Sequence, residues 1–194
     1  MMFERRVSQR GFSLLELLVA LVVFSIGMLA VAGLQTVSKQ ANFEGAQRTS
    51  ASQIAYGLLE DIRTNGDALD IYRTAGEFGG GRRGGEPVPN CSVGADCNAA
   101  EKAVHDLWFW EQMIDGNLET SAGVGTGGVM LPSLCIDGPA VGGAGVYRVT
   151  IAWRGTASIT NSINNPCGAL GGNYGANLEF RRIIQIPTYI DPNI

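Results

Sequence analysis

The chain has 194 residues, 45% of them hydrophobic and 16% charged, with a formal net charge of −4. That length suits one modest folded domain, and the hydrophobic share excludes a mostly disordered chain. The acidic balance excludes a general basic field for nucleic acid.

The first predicted element is apolar. Phe12 to Leu34 is a run of 23 residues, 18 of them apolar, in which Glu16 is the only charge. As a helix rising about 1.5 Å per residue it is roughly 35 Å long, enough to cross a hydrocarbon core of about 30 Å. A secretory signal has a shorter apolar stretch of about 7–15 residues. The triplet Ala30-Val31-Ala32 has the spacing of such a signal's cleavage site, but removal there leaves Glu16 unexplained. Arg5, Arg6 and Arg10 precede the run against one acid, Glu4. That bias holds the amino-terminal end in the cytoplasm and sends the rest of the chain to the other side.

Glu16 is costly where it stands. A lone carboxylate within a span costs about 2.5–3.5 kcal/mol on insertion scales, so it calls for a partner. A cut after Gly11 would give Phe12 a new amino-terminal cation, and that cation, from the same or a neighbouring chain, would neutralise Glu16 in apolar surroundings.

Gly11-Phe12-Ser13-Leu14-Leu15-Glu16, between a short basic leader and a long apolar run, resembles the class III signal of type IV pilins and their pseudopilin relatives. The resemblance implies cleavage between Gly11 and Phe12 by a prepilin peptidase, followed by methylation of the Phe12 amine. Phe24 to Ala30, Tyr147 to Arg154 and Arg181 to Ile190 resemble minor pilins, and Gly33 stands where major pilins often carry proline. The expected partners are therefore other minor and major pilins, the prepilin peptidase, the pilus assembly machinery of the inner membrane, and lipid before assembly. The expected location is the bacterial inner membrane, single-pass with the head in the periplasm, then the pilus fibre or its tip. A minor pseudopilin of a type II secretion system is the alternative.

The helical pattern continues past Leu34. Ala51, Ile54, Ala55, Leu58, Leu59 and Ile62 recur at three- and four-residue intervals and mark one apolar face. No proline interrupts residues 12–63, and Asn65-Gly66 is a plausible left-handed stop. The expectation is one helix of about 50 residues, its second half laid across a globular head.

Between Gly66 and Gly145 lie 17 of the 27 glycines, densest in Gly79-Gly80-Gly81-Arg82-Arg83-Gly84-Gly85, which reads as an exposed, mobile loop. Residues 99–115 read as a helix capped by Asn98, with Ala103, Leu107, Trp110 and Ile114 on one face. The period then changes to two. Tyr147–Arg154 and Leu178–Ile186 read as antiparallel strands with one covered face, apolar at odd positions in the first and at most even positions in the second. A third strand near Val129–Ile136 is pushed to an edge by Pro132. The fold class is α+β, a pilin-like long helix packed on a small antiparallel sheet. Its parts are a leader at 1–11, a membrane and assembly helix at 12–34, an amphipathic continuation at 35–65 and a disulfide-bearing head at 66–194.

Cys91, Cys97, Cys135 and Cys167 all lie beyond the apolar run. An even count on the oxidising side predicts two disulfides. Three pairings are open, with Cys91–Cys97 and Cys135–Cys167 preferred. No metal, cofactor or catalytic residue is expected. The chain has no Cys-x-x-Cys and a single histidine, His105, read as a polar helical position. Gly123-Val124-Gly125-Thr126-Gly127-Gly128 matches a dinucleotide-binding spacing but lacks the strand before it and the helix after it, so it reads as a loop. Arg82, Arg83, Arg181 and Arg182 are the only candidates for a local nucleic-acid patch.

Overall fold

The computed structural model describes residues 11–92, 96–140, 143–160 and 164–193; the leader residues 1–10 lie outside the described residues. The chain divides into two compact units, Met1–Asn42 and Phe43–Ile194. Helix α1, Leu14–Thr64, crosses that boundary.

In the first unit the apolar side chains from Phe12 to Val37 are exposed, and none of the membrane-length stretch is buried. In the second unit α1 becomes a core element. Its buried residues are Ala51, Ile54, Ala55, Leu58, Leu59 and Ile62, the six that the sequence places on one face. The helix stops where expected, after Thr64, but not by a left-handed turn. Asn65 is not left-handed (φ −116°, ψ 54°), and a short 3₁₀ turn, Gly66–Ala68, leads into helix α2, Leu69–Arg73. Asn65 is instead buried, its Nδ2 donating to the Tyr72 hydroxyl at 3.1 Å and to the Ala99 carbonyl at 2.9 Å. The stop is thus a tertiary contact made by a polar side chain.

Helix α3, Ala99–Asp115, opens with a capping box in which Asn98 and Glu101 satisfy each other's backbone amides. It closes on left-handed Gly116. Gly116 is also a close-packing site, since a Cβ there would fall 2.0 Å from the Gly127 carbonyl oxygen. The glycines at 123–128 therefore form part of a small hairpin, β1 Thr120–Ser121 with β2 Val124–Gly125, tucked against the end of α3.

The main sheet has the order β3-β4-β5, all antiparallel: Ser133–Asp137, Gly145–Arg154 and Arg181–Ile190. Tyr147, Val149, Ile151 and Trp153 of β4 are buried, at the odd positions read from the sequence. Two expectations are corrected here. The last strand starts at Arg181 rather than Leu178, because Leu178 takes a left-handed φ of +58° and turns the chain. The sheet also has more than one covered face, since Thr150 and Ala152 of β4 are buried as well. Residues 164–180 fold back over them. Cys167 is bonded to Cys135 of β3, and the Tyr174 hydroxyl donates to Leu131 O at 2.7 Å and to Ala152 O at 3.3 Å.

Candidate functional site

The first unit carries one candidate site, the helix start. Phe12 is 87% exposed. The Ser13 hydroxyl accepts from the Leu15 amide at 3.3 Å, and Ser13 O accepts the Leu17 amide at 3.2 Å. Glu16 stands in the first turn, where the positive end of the helix dipole favours a carboxylate. The two hydroxyls at 25 and 36 raise no further polar cost in an apolar medium. Ser25 donates to Leu21 O at 2.7 Å and Thr36 to Ala32 O at 3.1 Å, so each is satisfied within the helix. Glu16 is left as the one charge in an uncovered apolar surface.

In the second unit, Glu44 holds α1 to the sheet. Its carboxylate accepts from the Thr156 amide at 2.6 Å and hydroxyl at 2.9 Å, and pairs with Arg182 of β5 at 3.1 Å. Burial pushes this carboxyl upward, but the Thr156 bonds and the Arg182 charge outweigh it and hold the group below its ordinary value. Thirteen residues on, at Gly57, α1 meets α3 closely. A Cβ on Gly57 would fall 2.3 Å from the Trp110 ring, and the indole N–H of Trp110 donates to Asp61 at 2.7 Å. Burial raises the Asp61 carboxyl, and the Trp110 bond opposes that rise only in part. Tyr72 donates to Asp106 at 2.6 Å, and Lys102 bonds both Asp106 oxygens at 2.9 Å. Burial, followed by the Asp106 bond, pushes the Tyr72 hydroxyl far above its ordinary range.

The glycine-rich loop at 79–85 is exposed at most positions, as read from the sequence, but its backbone is anchored rather than free. Five successive backbone amides close on two carboxylates of α3. Gly79 and Arg82 donate to Glu111 Oε1 at 2.8 and 2.9 Å, and Arg83 to Oε2 at 2.6 Å. Gly80 and Gly81 donate to the two oxygens of Asp115 at 2.7 Å each. Glu111 is 0% exposed, so it stays buried by collecting these amides. The loop is a fitted cover for α3, and left-handed backbone at Gly79, Gly80 and Gly81 is what turns the amides inward.

The four arginines do not form a free basic surface. Arg82 pairs with Glu77 at 2.9 Å, and Arg83 donates to Ala75 O at 2.8 Å while lying over the Phe78 ring. Arg181 is buried and donates to Asn165 O and Cys167 O at 2.7 and 3.0 Å, and Arg182 is held by Glu44. The four cysteines are joined as Cys91–Cys97 and Cys135–Cys167. Among the described residues no three of His, Cys, Asp and Glu come together as a metal site. Sequence reasoning missed Glu44, Glu77, Glu111 and Asp115. Only the i, i+4 spacing of Glu111 and Asp115 hinted at a shared face.

Against known proteins, the family model described as "Prokaryotic N-terminal methylation motif" matches residues 6–32. No significant match joins the chain to a curated protein or to a solved structure. The motif supports a type IV pilin-like protein, a pilin or pseudopilin, and with it assembly with other pilins and prepilin peptidase processing in general. It points to a structural subunit rather than an enzyme, and with the uncovered helix it fits membrane anchoring.

Proposed function

We propose that this chain is a minor pilin that primes or modifies type IV pilus assembly, and so supports pilus-dependent adhesion and twitching motility. Cleavage after Gly11 would free the Phe12 amine, which is then methylated. The observation that carries the reading is the methylation motif at residues 6–32 opening an apolar helix with no cover of its own. Such a surface is stable in lipid or against similar helices, so extraction from the membrane exchanges one apolar environment for another. Glu16 would then set axial register, because a misplaced subunit leaves a buried carboxylate without its cation. The head, with its own core and two disulfides, supplies the specific contacts. The segments Phe24–Ala30, Tyr147–Arg154 and Arg181–Ile190 favour, among minor pilins, a resemblance to type IV pilus modification protein PilV.

Deletion of the gene tests this reading. Loss of surface pili and twitching with normal protein secretion supports it; a secretion defect with normal pili would identify a secretion pseudopilin instead. Glu16→Ala should lower incorporation into sheared pili at least tenfold while the membrane pool remains. Unchanged incorporation would end the register account.

A further inference from the structure

His105, the chain's only histidine, is read from sequence as a polar helical position, yet it is 5% exposed. Its Nε2 is buried without a hydrogen-bond partner. The nearest opposite group is Glu86, whose Oε1 lies 4.0 Å away on a largely exposed side chain. The segment that carries Glu86 is fastened to α3 on both sides of this gap. Upstream, the Trp108 indole N–H donates to Gly84 O at 3.3 Å; downstream, Cys91 is bonded to Cys97, which leads into the Asn98 cap. The Trp108 ring also lies 5.7 Å from the imidazole. One open polar contact thus sits between two closed ones.

We infer that His105 and Glu86 form a proton-dependent clasp that fastens residues 84–90 onto α3 in acid. A neutral imidazole has one donor, whereas the protonated ring has two. Glu86 has to move only about 1 Å to reach charge-assisted hydrogen-bond distance; its Oε1 already accepts from Asn90 Nδ2 and has a second lone pair to offer.

The other charges nearby are already engaged. On α3, Lys102 and Asp106 bond each other, Asp106 also accepts from Tyr72, and Glu101 accepts from the Asn98 amide. Glu111, further along the helix, holds three loop amides. From the covering segment, Arg83 is taken up by Ala75 O and the Phe78 ring, and Glu86 itself accepts from Asn90. Asp96, just before α3, is exposed. Glu86, with lone pairs beyond the one that takes the Asn90 amide, is the carboxylate that faces the His105 Nε2. Histidine ordinarily changes charge between pH 5 and 8, so the two ends of that range are compared. Its link to the acidity of the surroundings rests on the periplasmic head expected from the sequence; the clasp itself does not.

The test is amide hydrogen exchange at residues 84–90 of the full chain in detergent micelles, at pH 5.5 and 7.5, corrected for intrinsic rates. Wild-type protein should be protected about fivefold more at pH 5.5, and Glu86→Gln, at an exposed position, should abolish that difference. Equal protection at both pH values in the wild type would overturn the clasp. So would a pH difference that survives in Glu86→Gln. Neither result bears on whether the chain is processed and assembled as a pilin.

Discussion

At the residue scale, the second unit is held by carboxylates that reach across the chain to backbone amides and arginines. Glu111 is the extreme case, fully buried with three loop amides as its partners. Glu111→Gln would turn an NH₂ group toward backbone donors, and should destabilise the head by about 2–4 kcal/mol. Denaturant melts would measure that loss, with faster amide exchange at Gly79, Arg82 and Arg83 locating it. Gly57 gives a test of sign. Alanine is the better helix former by about 1 kcal/mol, but its Cβ would enter the Trp110 ring. Gly57→Ala should therefore destabilise by about 1–3 kcal/mol; stabilisation would contradict the packing described. Glu44 supplies a pH test. Its carboxyl is held below its ordinary value, so its contribution is present above the unfolded-state value and is lost as pH falls through the folded-state value. The stability difference between wild type and Glu44→Gln should accordingly be largest near neutrality and fall away as pH drops below the ordinary carboxylate range.

At the scale of elements, the legible parts were those with a period. The six buried residues of α1 recur at helical spacing, and the odd residues of β4 alternate, so both cores were readable. The start of β5 was not. Alternation runs on through Leu178, Glu179 and Phe180, but Leu178 adopts a left-handed turn that its residue type does not announce. The anchoring of the glycine-rich loop was missed for a related reason. Glycine composition reports backbone freedom, while the amide partners, Glu111 and Asp115, lie about thirty residues downstream. The second cover of the sheet depends on Cys167 and Tyr174 folding back, a contact with no local pattern. The two disulfides should differ in weight. The Cys135–Cys167 bond spans 32 residues and Cys91–Cys97 spans 6; by loop entropy their removal should cost about 3–4 and about 2 kcal/mol. Paired serine variants, compared by thermal melts, would show that order, and only the longer bridge should loosen the segment 164–180 from β4.

At the scale of the whole molecule, one unit has a core and the other has an uncovered apolar helix whose one charge between Phe12 and Val37 is Glu16, in its first turn. An apolar surface of that length is not left to water. The methylation motif at residues 6–32 fits membrane anchoring of this surface and implies, in general, assembly with other pilins. The central claim is that cleavage between Gly11 and Phe12 makes the subunit competent to assemble. The most direct measurement is the intact mass and amino-terminal sequence of the protein recovered from cells. The account predicts a chain that begins at Phe12 and carries one additional methyl group on its amine. A chain that still begins at Met1, or begins beyond Leu34, would contradict it.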